Sequence, residues 1–322
     1  MGWWKISADS LARSRFVVSP LAEATAALFM LQQPKATHPG ERVWLDAYLS
    51  AYRERLADDP VTALLIRTAL GKGWIADFLT PPPCGDATFE NEVARIRETP
   101  NETVHTDLEM ALGGGPLPPE LRRDDLAERL AVLLEWVWAE TVLPYWPRRQ
   151  RIIESDIVAR IGQLSQGGWA AALGDMRPGM RWLGDGRLQI NTRDYPPREI
   201  SGAQMLFVPV TVWRGWVAWD EPQTYAVIYP CSGALAETRS AAAPEALARL
   251  LGNARAGVLV LLDTPKSTTQ LVALTGQGLG SVGRHLKVLL DAQLVQRRRS
   301  GRSVLYYRTA AGDVLVRAQT ES

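Results

Sequence analysis

Between Gln277 and Arg308 the chain sets cationic, amide and hydroxyl side chains at a spacing suited to contacting a polyanion. Leu279, Val282, Leu286, Leu289 and Leu290 recur at helical spacing, which predicts an amphipathic helix from about Leu279 to Ala292 with those residues inward. Its opposite side carries Gln277, Gly280, Ser281, Arg284 and Lys287. Arg, Gln and Ser can donate to base edges in a major groove, and glycine permits close backbone approach. His285 flanks this side as a phosphate contact or a boundary-packing residue. Two β-like runs, 296–299 and 303–308, then bracket Ser300-Gly301 as a turn. Arg297, Arg298, Arg299, Arg302 and Arg308 give that hairpin enough charge to engage phosphates or a minor groove.

Elements upstream must hold this helix in place. Ser267-Thr268-Thr269-Gln270 matches a capping box, in which Ser267 and Gln270 reciprocally satisfy free backbone donors. It predicts a short helix with Leu271 and Leu274 inward, ended by Gly276. The hydroxyls of Ser267, Thr268 and Thr269 join the candidate DNA contacts. Before them, Glu245–Leu251 and Gly257–Leu262 read as helical. From Pro244 onward the chain has eleven Lys/Arg against five Asp/Glu, whereas the remainder has 25 against 30. A basic tail behind an acidic body points toward a polyanionic partner.

The larger front part reads mostly as helices. Trp3–Ser7 is expected as a short strand leading into a helix from Asp9. Ser19-Pro20 pairs an N-cap with a first-turn proline, and Asp59-Pro60 repeats the device. Val43, Trp44, Ala47, Tyr48 and Ala51 lie at helical spacing. One long helix is expected over Glu120–Leu143, interrupted by Pro144, with another reaching Ile161 or Leu164. Arg181–Leu183 and Leu188–Ile190 flank Asp185-Gly186, a hairpin signal. Met205–Val212 and Thr224–Tyr229 are further strand candidates, and Ser240–Pro244 is the expected linker.

Catalytic and metal chemistry find little support. The chain has three histidines, His38, His105 and His285. His38 precedes Pro39 in an expected turn, and His105 falls on a polar helical face. No GxSxG, HExxH, P-loop or GxGxxG pattern occurs. The two cysteines, Cys84 and Cys231, are far apart and fit a reducing cytoplasm. Apolar runs such as Ala24–Leu31 fall short of a membrane span. No catalytic residue, cofactor or metal site is expected, and the localisation expected is cytoplasmic.

The run from Gly278 to Val295, followed by Gln296-Arg-Arg-Arg-Ser-Gly-Arg-Ser-Val-Leu-Tyr-Tyr-Arg308, resembles the ArsR-type winged-helix regulators. The resemblance spans about Pro244–Val316. The segments Ile6–Phe16 and Val18–Leu21 are similar to the front region of long ArsR-like regulators of actinobacteria. The resemblance implies a homodimer on a two-fold related double-stranded DNA operator, often repressing until an effector binds. Many metal-sensing members place a Cys-x-Cys pair where Ser267 and Thr269 stand here, and hydroxyls cannot supply thiolates. The fold expected is therefore α+β. A mostly helical domain over residues 1–239, with a small antiparallel β portion, precedes a winged helix-turn-helix over residues 240–322.

All twelve tryptophans precede the linker. Aromatic-lined cavities suit apolar or planar ligands, although large aromatics also simply fill cores. Trp136, Trp146, Trp182 and Trp213 are the candidate contacts for an apolar small-molecule effector. The alternative is a front domain devoted to protein interaction and dimerisation without a small ligand.

Overall fold

The structure, a computed structural model, describes residues 2–36, 39–71, 73–85, 87–174, 176–192, 195–200, 202–231, 244–262, 266–275, 277–300 and 303–317. His38, Gly276, Gly301, Arg302 and all of the expected linker except Pro244 lie outside the described residues, as do the side chains of Thr269 and Arg299. Among the described residues no helix is long and apolar enough to cross a membrane.

The chain is a mixed α+β protein with small sheets. Strand β1 (Trp3–Ile6), helix α1 (Ala8–Ala12) and strand β2 (Arg15–Phe16) lead into α2 (Pro20–Gln32). Ser19 caps α2 by accepting from the Ala22 backbone N–H at 3.0 Å, and Pro20 occupies the first turn, as the sequence predicts. Every residue from Leu21 to Leu31 is buried, so α2 is the axis of the helical core. Around it pack α3 (Pro39–Asp58), α4 (Pro60–Ala69), α5 (Phe89–Arg97), α6 (Asn101–Ala111) and α7 (Leu126–Trp136). Asp59 caps α4 through the Thr62 N–H at 3.1 Å. Val43 is exposed on α3 while its neighbour Trp44 is buried.

The expected single helix over Glu120–Leu143 is broken. A 3-10 turn at Pro119–Leu121 precedes α7, which continues as a π-helical segment, Val137–Val142, and a second 3-10 turn at Leu143–Tyr145. Asp125, at the N-terminal boundary of α7, is clamped by Arg123 and Arg129 at 2.8 Å each, which fixes the start. Pro144 lacks the N–H needed to carry the ladder onward. Helix α8 (Trp146–Leu173) then runs beyond the expected end, with a break at Gly168 (φ +65°).

The β portion departs from the antiparallel arrangement expected of it, because it contains parallel pairs. Strands β3 (Arg181–Gly184), β4 (Arg187–Gln189), β1 and β5 (Arg198–Ile200) form one sheet in the order β3-β4-β1-β5, with β1 and β5 parallel. The β3–β4 hairpin turns at Asp185 and Gly186, both at positive φ, as the Asp-Gly pair foretells. The other sheet has the order β2-β6-β8-β7, from β6 (Gln204–Val210), β7 (Trp216–Asp220) and β8 (Thr224–Pro230). Here β6 is parallel to both β2 and β8. Leu206, Val208, Val210 and Ile228 face the helical core, whereas Met205, Phe207, Val227 and Tyr229 face a second cluster with Trp4, Ile6 and Leu173. Burial on both faces explains the near-continuous apolar runs.

The tail has its own apolar cluster, including Val258, Leu259, Leu271, Val282, Leu286, Leu289 and Val295. Its elements are α9 (Glu245–Leu251), α10 (Asn253–Leu261), β9 (Lys266–Ser267), α11 (Thr268–Thr275), α12 (Leu279–Asp291), β10 (Val295–Ser300), β11 (Ser303–Arg308) and α13 (Ala310–Arg317). The three strands pair antiparallel in the order β10-β11-β9.

One charged pair ties the layers of the front domain together. Glu23, inside the apolar run of α2, accepts from Arg149 Nη1 at 2.6 Å and from the Thr211 backbone N–H at 2.8 Å. Its carboxylate is fully buried and the Arg149 side chain is 3% exposed. Removing one partner of such a pair leaves an uncompensated buried charge, costing about 3–5 kcal/mol. Arg149→Met should therefore lower unfolding free energy by about that much in chemical denaturation, and adding Glu23→Gln should restore most of it. A single-variant loss below about 1 kcal/mol, the range of exposed pairs, would contradict this role.

Candidate functional site

Helix α12 presents its two sides as the sequence predicts, with one exception. Val282, Leu286 and Leu289 are buried and Leu290 is partly buried, but Leu279 is 62% exposed. Leu279 is the first residue of the helix, so it stands outside the stripe that the following turns bury. Gly280, Gly283, Arg284 and Lys287 are exposed in the full chain. Along the same side, Ser281 Oγ lies 3.1 Å from Gln277 Oε1 and 3.2 Å from His285 Nε2. These polar groups thus form a ladder one helical turn apart. His285 is half-buried, and burial followed by the charges of Arg255 and Arg284 holds its pKa below the usual histidine value. Arg284 is exposed, and its Nε donates to the Gly280 carbonyl at 3.3 Å.

Local bonding fixes how this helix meets its neighbours. The capping box forms: the Gln270 backbone N–H donates to Ser267 Oγ at 3.2 Å, and Gln270 Oε1 accepts from the Ser267 N–H. Ser267 and Thr268 are thereby placed at the start of α11, with Ser267 engaged in the cap. The other amide end of Gln270 donates to the Ser155 carbonyl of α8. At its C-terminus α12 closes with a paired turn: the Leu294 N–H donates to Leu289 O at 3.0 Å and the Gln293 N–H to Leu290 O at 2.9 Å. Gln293 takes the left-handed conformation (φ +54°) that this ending requires, and the chain is turned directly into β10. Arg297 and Arg298 are exposed on β10, opposite Tyr306 and Leu305, and Arg299 pairs in register with Val304. Arg308 is instead tied to Asp313 at 2.9 Å.

The four candidate tryptophans do not converge. Trp136 stacks on Tyr52 with centroids 6.4 Å apart and borders a groove in which Asp59 and Asp125 are both paired with Arg129. Trp146 meets Trp138 edge-on at 5.1 Å, and Trp182 packs against the second cluster. Trp213 lies under Lys35, 5.8 Å from the ring centre. Another group of aromatics does meet, around a cleft of about 360 Å³ that sequence reasoning missed. Trp74 stands 5.3 Å from Trp219 and 5.8 Å from Tyr195, and Trp3, Trp4 and Trp216 also line the space. Its wall is shaped by close backbone approach: a Cβ on Gly215 would lie 2.4 Å from Ile228 O, and one on Gly71 2.2 Å from Ala111 O. These residues come from distant stretches, so only the Gly71-x-Gly73-Trp74 loop hinted at the site.

Charge in this cleft is unevenly paired. Arg198 bonds Glu221 and lies over the Trp219 ring at 4.1 Å, and Arg214 donates to Gln33 at 2.7 Å. Arg177 has no such partner; its Nη1 is buried without a hydrogen bond among the described residues, and burial pushes its pKa down to about 10. Asp77 is pushed up to about 7 by burial and by the Asp107 charge, against the pull of Arg198 and of the nearby Trp219 and Trp74 indoles. Trp74 Nε1 is close enough for that pull yet makes no hydrogen bond within normal geometry. His105 is occupied elsewhere, with Nε2 3.0 Å from the Arg123 carbonyl.

A family model described as a family of unknown function (DUF5937) matches residues 5–135. That span covers the helical core through most of α7 and stops before α8 and the tail. Neither curated proteins nor solved structures provided a match to the chain.

The Asp77 carboxyl has a sign that can be measured. Its pKa is raised in the fold, so its contribution to stability is full below the ordinary carboxylate range, about 4, and is lost as pH rises through about 7. Asp77→Asn should consequently gain on the parent protein as pH is raised from about 4.5 to about 7.5. Urea denaturation of both proteins at the two pH values checks this, and a stability difference independent of pH would contradict it.

Proposed function

We propose that the chain is a sequence-specific DNA-binding transcriptional regulator, not an enzyme, whose tail is an ArsR-like winged helix-turn-helix. On this reading α11 and α12 are the helix pair, α12 enters the major groove, and β10–β11 is the wing. The protein acts in the cytoplasm as a homodimer on a double-stranded operator, and represses until a small molecule binds the front domain. The observation that carries the reading is the outer side of α12. Gly280, Gly283, Arg284 and Lys287 are exposed there, backed by buried Val282, Leu286 and Leu289. A basic hairpin beside that side supplies the charge expected for phosphate contacts.

The sensor half of the proposal is supported by the cleft at Trp74 rather than by Trp136, Trp146, Trp182 or Trp213. Helix α8 meets the tail and precedes a residue of that cleft in the chain. It touches α11 through Gln270 and Ser155, and its Gly162 sits 3.6 Å, measured from a Cβ position, from Leu305 of β11. Its C-terminal end leads directly to Arg177 of the cleft.

On a duplex enriched by the parent protein, Arg284→Ala should weaken specific binding by about 1–3 kcal/mol if Arg284 reads a base. Replacing Arg297 and Arg298 with alanine should weaken binding to all duplexes alike. It should also flatten the dependence of log affinity on log salt by about 0.9 for each phosphate no longer neutralised. Fluorescence anisotropy over a salt series measures both effects. Unchanged affinity in the first variant together with an unchanged slope in the second would overturn the assignment.

A further inference from the structure

The cleft at Trp74 combines aromatic walls with two features that a purely apolar ligand would not use. Its walls are flat, because Trp74 and Trp219 meet at an interplanar angle of 60° and Trp3, Trp4 and Trp216 complete the lining. Its charge is mostly positive: Arg177, Arg198 and Arg214 line it, with Asp77 the one acidic residue among the described lining. It also holds two unused donors. Arg177 Nη1 and Trp74 Nε1 are both buried without a hydrogen-bond partner among the described residues.

Those donors narrow the ligand class. A buried polar group left unsatisfied is unfavourable, more so when charged, and an acceptor that reaches it recovers that loss. Arg198 and Arg214 are engaged by Glu221 and Gln33, so Arg177 is the guanidinium left to take an anion. A guanidinium fork matches a carboxylate in geometry as well as charge. The volume, about 360 Å³, falls at the small end of ordinary ligand sites and suits one or two fused rings. Arg177 also borders a shallower depression beside Met176, Pro230 and Cys231, but no aromatic ring lines that one. The groove at Trp136, where Asp59 and Asp125 are both paired with Arg129 and Arg55 lies over the Trp136 ring, holds no buried unsatisfied donor among the described residues.

We propose that this cleft binds an aromatic carboxylate, with the ring held by the Trp74–Trp219 walls and the carboxylate held by Arg177, Trp74 Nε1 serving as a second donor. The proposal deepens the sensor half of the regulatory reading and rests on it for its purpose. It replaces the apolar effector expected from the sequence with a planar anion.

Calorimetry on the full chain with 2-naphthoate, and with 2-naphthalenemethanol as its neutral counterpart, tests the assignment. The naphthoate should bind once per chain and at least about tenfold more tightly than the alcohol, the range of a hydrogen bond to a charged group. Arg177→Gln should cut that discrimination severalfold, to what Trp74 Nε1 alone supplies, while leaving the alcohol's affinity unchanged. Trp74→Phe keeps a flat wall but deletes the N–H, and should weaken naphthoate binding by about threefold to tenfold. Should Arg177→Gln fail to fold by circular dichroism, the Trp74→Phe result decides. Equal affinity for the two probes, binding of neither, or full discrimination in folded Arg177→Gln overturns the proposal. The regulatory reading is read separately, in duplex binding with and without naphthoate. Naphthoate bound with unchanged duplex affinity leaves the ligand class standing and removes the sensor role.

Discussion

The front domain is organised around a carboxylate that elementary solvation would place in water. Glu23 sits in the most apolar helix of the chain, and its burial is tolerable only because Arg149 and Thr211 complete its shell. The three residues belong to α2, α8 and the segment after β6. Meeting the demands of one charge therefore fixes the helical core, the long helix and the end of a central sheet strand relative to one another. Glu92 plays a related part at the start of α2, where it accepts from Ser19 Oγ and the Leu21 N–H at 2.9 Å each.

Because Arg149 lies near the start of α8, the same constraint sets the helix that reaches the tail. Farther along α8, Ile152 and Ile153 pack with Cys231, and Arg160 donates to Ala172 O at 3.0 Å while covering the Tyr229 ring. These contacts hold α8 against the sheet on one side, while Ser155 and Gly162 meet α11 and β11 on the other. In the proposed regulator α8 is thus the shared element through which a ligand would act. A ligand shifts DNA binding only by the difference in its affinity for two arrangements, typically about 1–3 kcal/mol, so a small displacement of this helix suffices.

Much of the architecture could be read from local chemistry. Ser19-Pro20, Asp59-Pro60, Asp185-Gly186 and the Ser267–Gln270 box act within a few residues, and each forms the cap or turn that its residue types require. What could not be read depends on distant partners. The parallel pairing of β6 with β8 arises because β8 inserts between β6 and β7, a choice no single strand encodes. The expected long helix is limited at two places, by the Asp125 clamp at the start of α7 and by the π-helical and 3-10 turns that lead through Pro144 at its end. The tryptophans singled out by their density along the chain are scattered, whereas Trp4, Trp74 and Trp219 meet from three separate stretches. On the tail the polar side of α12 was legible because helical periodicity sorts it from the buried side; only Leu279 escaped the stripe.

The central claim is that the tail reads a DNA sequence through α12, and enrichment of a randomised duplex pool by the full chain tests it most directly. Successive rounds followed by hydroxyl-radical footprinting should yield a two-fold related motif, with protection of major-groove segments one helical turn apart. Recovery of a pool with no sequence preference at physiological salt, or no retained duplex at all, would contradict the account.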